Sequence, residues 1–257
     1  QFNVNHMWNK VLAIPMPIDI AGADYYDAST WLYSNARGGL RPGYSTGTIT
    51  SFGYRRQDLS PPGPNGLSKN DGEVLISPTT GLPLNDGVFR VRGDRTVALS
   101  VGTINRIRYK NFNLSFLWDL RLGGDIFNAT GMYLTTLGKS AKTADRLTPR
   151  AVSGVLQDGL ENTATPTRNT ILVTPYYNNT YYNSTNMPEE DYMERNIKAF
   201  RLRDVTFSYT VPSKALVNNA GKGMDYPGLL DYVNFKSLSL FVTMNDLFLF
   251  TNYSGAD

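Results

Sequence analysis

Residues 112–122 read Phe-Asn-Leu-Ser-Phe-Leu-Trp-Asp-Leu-Arg-Leu, and one side of their two-residue alternation is wholly large and apolar. Successive side chains of an extended strand point to opposite faces, so Phe112, Leu114, Phe116, Trp118, Leu120 and Leu122 share one face. Asn113, Ser115, Leu117, Asp119 and Arg121 share the other, with Leu117 breaking the pattern. Eleven residues is long for a globular strand and falls in the range of roughly 9 to 11 that a tilted strand needs to cross a bilayer. A membrane barrel therefore joins the architectures to be considered.

Four more stretches carry the same period. In residues 97–109, Val97, Leu99, Val101, Thr103, Ile107 and Tyr109 alternate with Ala98, Ser100, Gly102, Arg106 and Arg108, while Ile104 and Asn105 fall out of phase. Lys110 and Asn111 then lead straight into Phe112, the spacing of a hairpin. Residues 198–211 form a third run, poorly phased near Arg201 and Arg203 and stopped by Pro212. Residues 235–248 set Leu238, Leu240, Val242 and Met244 against Ser237, Ser239, Thr243 and Asn245. Residues 2–12 set Phe2, Val4, His6 and Trp8 against Asn3, Asn5 and Asn9.

The expected fold is all-β and antiparallel. Its connections are unequal: residues 13–96 and 123–197 are long, rich in Gly, Pro, Tyr and Asn, whereas 110–111 is minimal. Outer-membrane barrels pair short periplasmic turns with long extracellular loops, which makes 13–96 and 123–197 extracellular and 212–234 an inner turn, with a short helix expected at 213–219. Residues 126–137 suit either a strand or a helix.

Composition narrows the chemistry. A formal charge of +3 on 257 residues, with scattered Lys and Arg, argues against nucleic acid. The chain has no cysteine and a single histidine, His6, which excludes disulfides and thiolate sites and removes most hydrolase triads. No transmembrane helix is expected, and a mean hydropathy of -0.31 suits strands that are polar at every second position. The first residues have no basic or apolar leader pattern, so no signal peptide is expected there.

In a barrel, Arg106, Arg108, Asn113, Ser115, Asp119, Arg121, Ser237, Ser239 and Thr243 face the lumen or a plug, with Asp119 and Arg121 within reach of Arg106 and Arg108. Phe112, Leu114, Phe116, Trp118, Leu120, Leu238, Leu240 and Val242 face lipid. Tyr176, Tyr177, Tyr181 and Tyr182, interleaved with Asn178, Asn179, Asn183 and Asn186, have the composition of a polar surface loop first and of a sugar-binding loop second. Glu189, Glu190, Asp191 and Glu194 read as a solvated turn ahead of a glycosidase pair. No metal, cofactor or catalytic residue is expected.

Several segments together resemble the C-terminal part of SusC/RagA-type TonB-dependent outer-membrane transporters. They are residues 108–118, the run Gly123-Gly124-Asp125-Ile126-Phe127-Asn128-Ala129-Thr130, residues 200–209, residues 238–247, and the ending Thr251-Asn252-Tyr253-Ser254-Gly255-Ala256-Asp257. The resemblance implies one barrel domain, here residues 1–257, lacking the family's N-terminal plug and closing strand. It implies glycan or peptide import across the outer membrane of Bacteroidota-type Gram-negative bacteria, contact with outer-membrane lipid, energy from TonB through the missing N-terminal region, and a SusD-like surface lipoprotein as lid. The alternative is a soluble β-sandwich carbohydrate-binding module, in which a second sheet would cover the apolar face.

Overall fold

The computed structural model describes residues 1–14, 25–62, 68–178, 181–183, 186–211 and 238–255. Its strands begin with β1 (Phe2–His6), β2 (Tyr25–Tyr33), β3 (Ala36–Leu40), β4 (Thr48–Ser51), β5 (Leu75–Ile76), β6 (Arg90–Asp94), β7 (Leu99–Tyr109) and β8 (Phe112–Leu122). After β9 (Ile126–Phe127) comes helix α1 (Ala129–Thr136), then β10 (Arg150–Ala151), β11 (Val155–Leu156), β12 (Leu172–Val173), β13 (Met193–Glu194), β14 (Lys198–Val211) and β15 (Leu238–Thr251). The chain divides into two compact units.

The first unit comprises Gln1–His6, Val97–Leu122 and Lys198–Asn252. It is a five-stranded sheet in the order β1-β7-β8-β14-β15, antiparallel at every pairing. The β7–β8 hairpin runs in unbroken register from Tyr109↔Phe112 to Leu99↔Leu122. Lys110 takes φ of 51° in the two-residue turn, the left-handed conformation that lets the turn follow the twist of its strands. Its ammonium lies 5.3 Å from the Tyr109 ring centroid.

Poor phasing near Arg203 has a structural cause. The register shifts between Leu202 and Asp204 in both pairings of β14: against β8 Arg203 is an extra residue, and against β15 Arg203 alone faces Asp246 and Leu247. This bulge resets the alternation, so that Phe200 and Leu202, then Val205, Phe207 and Tyr209, stay on the face of Leu120 and Trp118. β15 accommodates it with Asp246 at φ of 49°. Asn105 does fall on the apolar face, opposite Phe116, where its Nδ2 donates to Thr103 Oγ1 at 2.9 Å.

Two strand ends differ from expectation. β1 stops at His6 instead of residue 12, and the last strand spans Leu238–Thr251 instead of 235–248. Ser237 and the expected inner turn at 212–234, including the helix at 213–219, lie outside the described residues.

The second unit comprises Met7–Thr96, Gly123–Ile197 and Tyr253–Asp257. The stretches expected as extended loops thus fold around a core of their own, in which Ala36, Ile49, Phe127, Met132, Tyr192 and Met193 cluster. A four-stranded antiparallel sheet, β2-β3-β4-β6, contributes β4, all four of whose residues are buried. β5 pairs in parallel with β11, burying Leu75, Ile76 and Val155. A Cβ added to Gly154 would sit 2.4 Å from the Val74 carbonyl oxygen, so only glycine permits this approach.

Residues 126–137 divide between both readings: two residues of strand, then a helix capped by Asn128, whose Oδ1 accepts from the Gly131 N–H at 2.7 Å. Gly138, at φ of 68°, ends α1 by donating to the Thr135 carbonyl while Lys139 donates to Leu134, a Schellman closure. Ile49 is fully enclosed, so Ile49→Ala should lower the stability of this unit by about 2–5 kcal/mol. Faster amide exchange across Thr48–Ser51 under native conditions would register it; unchanged protection would contradict the packing described.

Candidate functional site

The β8 register brings the predicted apolar residues together. Phe112, Leu114, Phe116, Trp118 and Leu120 share a face with Phe200, Leu202, Val205, Phe207 and Tyr209 of β14, and through β14 with Leu238, Leu240 and Val242 of β15. Aromatic rings gather at both ends of this face. Near the hairpin turn, Phe112 lies 5.7 Å from Phe207 and 4.7 Å from Tyr209, centroid to centroid. Toward the other end, Trp118 lies 5.8 Å from Phe200, and Phe200 lies 6.5 Å from Phe250. Leu114, Val205, Val242 and Met244 fill the span between.

From Phe112 to Leu120, the partner of Phe200, is eight residues, or about 26 Å of strand. Among the described residues, no hydrophobic side chain of this sheet is buried: every buried one belongs to the second unit. Leu240 is 61% exposed, Val242 60% and Phe250 66%.

The opposite face carries the predicted polar set, with one correction. Asp119 does not meet Arg106 or Arg108, because the hairpin register places those opposite Ser115 and Asn113, four or more residues along the strand. Asp119 Oδ2 instead accepts from Arg203 Nη2 at 3.0 Å and Arg121 Nε at 3.2 Å, while Arg201 Nε lies 3.0 Å from Asp246 Oδ1. Across β14 and β15, Thr206 hydroxyl meets Thr243 hydroxyl at 3.0 Å and Thr210 meets Ser239 at 3.2 Å. Ion pairs thus gather about the bulge, and hydroxyl pairs line the rest.

The Tyr- and Asn-rich loop occupies the second unit. Tyr176 and Tyr177 meet edge to face at 5.3 Å, as do Tyr181 and Tyr182 at 4.9 Å. Tyr176 and Tyr182 border one cavity and Tyr181 and Tyr182 border another, whereas Tyr177 stands 81% exposed. Sequence reading missed the cations of these walls, Lys142, Arg146 and Arg150. They come from the segment after α1, whose order no local period announced.

The acidic run 189–194 is not a solvated turn. Glu189 is fully buried, its Oε1 accepting from Asn35 N at 3.0 Å and Nδ2 at 3.1 Å. Glu190 binds Arg56 Nη2 at 2.8 Å and Arg92 Nη1 at 2.7 Å, and Asp191 accepts from the Tyr54 hydroxyl. Burial, together with the charge of Asp191, pushes the Tyr54 phenol far above its ordinary value. Glu194 accepts from Asn128 Nδ2 at 2.7 Å, Ser254 N at 2.7 Å and Ser254 Oγ at 2.6 Å. Asp125 accepts from the Asp94 N–H at 3.0 Å and the Asn196 N–H at 2.9 Å. Glu189, Asp125 and Glu194 thus take up backbone amides, and Glu190 and Asp191 take up side-chain donors.

The fold and these faces define an all-β protein whose long antiparallel sheet opposes an apolar face to a polar one, and among the described residues no helix is long and apolar enough to cross a membrane. No family model matches the chain. Along its whole length it is 24% identical to the TonB-dependent receptor P3 of Formosa agariphila. The chain spans 22% of the length of that curated relative.

Although partial burial opposes its charge, hydrogen bonds from Ser254 and Asn128 hold the Glu194 carboxyl below its ordinary value. A depressed folded-state value contributes stability above the ordinary carboxylate range and loses it as pH falls through that range. Glu194→Gln should therefore weaken this corner at pH 7, and the difference from wild type should close in acid. Amide exchange at Ser254 across pH reads it; a gap that persists or widens in acid would overturn the assignment.

Proposed function

We propose that this chain forms part of the outer-membrane barrel wall of a SusC/RagA-type TonB-dependent transporter that imports a glycan or peptide. The observation that carries this reading is the apolar face of β8, β14 and β15, bounded by aromatic rings at both ends and buried nowhere by protein among the described residues. At the usual strand tilt, about 26 Å of strand gives a band about 20 Å tall, near the ~25 Å apolar band with aromatic girdles of known outer-membrane barrels. The similarity to a named TonB-dependent receptor supports the same class.

Topology adds support. His6, Leu99, Leu122 and Lys198 stand side by side at one end of the sheet, so both long connections leave from that end, and the two-residue turn at Lys110 and Asn111 lies at the other. Long connections at the outer end and short turns at the inner end are the barrel arrangement. In this reading the apolar face meets outer-membrane lipid, while Arg106, Arg108, Asn113, Ser115, Asp119, Arg121, Ser239 and Thr243 line the lumen or contact a plug. The second unit offers its surface to solute and to a SusD-like lipoprotein, and TonB acts through the remainder of the transporter. No catalytic step is assigned to the chain.

A soluble β-sandwich would bury Trp118, Leu240 and Val242 beneath a second sheet; Leu240 and Val242 are exposed and Trp118 is only half-buried, which gives that alternative no support. Arginine on the lipid face of a barrel costs about 2–4 kcal/mol near the midplane, while lumen positions tolerate it. In the transporter carrying this chain, Leu114→Arg and Val242→Arg should sharply reduce the urea-resistant outer-membrane fraction, and Ser115→Arg and Thr243→Arg should not. Equal tolerance at both faces would reject the wall.

A further inference from the structure

Two cavities in the second unit adjoin at Tyr182. The larger, about 220 Å³, is bordered by Thr136, Gly138, Arg146, Tyr176, Asn178 and Tyr182 among others. The smaller, about 130 Å³, includes Lys142, Arg150, Tyr181, Tyr182 and Asn186 in its wall. Three cations border them, and among the described residues no aspartate or glutamate does.

The cations are not equivalent. Arg150 sends Nη1 and Nη2 to the two oxygens of Asp145, at 2.9 and 3.0 Å, and lies over the Tyr181 ring. Lys142 lies over the Tyr192 ring, 4.9 Å from its centroid. Arg146 is different: its Nη1 donates to the Gly138 carbonyl at 3.1 Å, and no carboxylate among the described residues pairs with it. Its position is nevertheless set from both sides. The Arg146 carbonyl accepts from the Tyr176 N–H at 2.9 Å, and Gly138, which closes α1, has room for the guanidinium because it lacks a Cβ.

We infer that this pair of cavities is a binding site for an acidic saccharide, whose carboxylate or sulfate is taken by Arg146 and whose ring lies against Tyr176 and Tyr182. A guanidinium with open N–H groups matches carboxylate and sulfate oxygens bidentately. Phenol rings offer apolar platforms to the C–H face of a pyranose, and the neighbouring hydroxyl and amide groups suit its hydroxyls. An acidic peptide would call for an extended groove or an open strand edge, and these cavities are compact and ring-walled. The inference rests on the import reading for the reason a solute meets this surface, but its test stands apart from membrane insertion.

The test is calorimetric titration of the detergent-solubilised transporter with trigalacturonate, galactotriose, tetraglutamate and sodium sulfate. Trigalacturonate should bind about tenfold or more tightly than galactotriose, and more tightly at about 50 mM than at about 300 mM salt. Arg146→Gln should remove that preference while leaving galactotriose binding unchanged, and Tyr176→Ala should weaken both sugars. Lys10→Gln, outside both cavity walls, should change neither. An unaltered preference in Arg146→Gln, equal binding of the neutral sugar, or sulfate or tetraglutamate binding as tightly as trigalacturonate would each overturn the assignment. A transporter that inserts and imports yet ignores the acidic sugar defeats this inference alone, whereas sugar binding by a protein that never enters the membrane defeats the import reading.

Discussion

Register across β7, β8, β14 and β15 is the constraint on which the sheet's chemistry depends. Side chains alternate with a period of two, so a slip by one residue would turn Phe112, Leu114 and Trp118 to the face of Asp119 and Arg203. The bulge at Arg203 shows how narrowly this is controlled. Without the extra residue, Val205, Phe207 and Tyr209 would fall on the polar side, out of line with Phe116, Leu114 and Phe112. Asp119 binds Arg203 and Arg121 at this point, so the irregular backbone is also where the ion pairs lie.

The two units draw on different sources of stability. The second encloses Ile49, Ile76 and Val155 completely and anchors its connections with buried carboxylates. The first encloses no hydrophobic residue among those described, and its outermost strands, β1 and β15, each have a neighbour on one side. Burial of apolar surface, at roughly 25 cal/mol per Å², is the main favourable term in folding, and this sheet lacks it internally. Its strands pair with one another, but the outer edges of β1 and β15 have no partner among the described residues, and its side chains divide into an apolar face and a polar one. The sheet's physics therefore requires surroundings that the second unit's does not.

Legibility in the sequence follows the range of the interactions. The period of β8, its hairpin with β7 and the alternation of β15 were readable, because each depends on neighbours two residues apart. The second unit was not, because what holds it together is distant in the chain: Glu189 binds Asn35, and Glu190 binds Arg56 and Arg92. Its pairings include ladders of only two residues, and β4, Thr-Ile-Thr-Ser, is buried on both sides and so shows no alternation. The aromatic half of the candidate sugar site was visible as a cluster of tyrosines. Its cationic half lay some thirty residues upstream and became visible only when Tyr176 N met the Arg146 carbonyl.

The residues that carry the family resemblance are largely engaged in architecture. Asp125 ties down the Asp94 and Asn196 amides, Asn128 caps α1 and donates to Glu194, and Ser254 completes the same knot through its amide and hydroxyl. Similar segments therefore argue for a similar fold and say little about cargo, since none of these groups borders the cavities around Tyr182. A relative sharing 24% of positions with this chain can share the knot and differ in the walls. In the import reading proposed above, solute preference would then follow the polar residues after α1 and in the tyrosine loop.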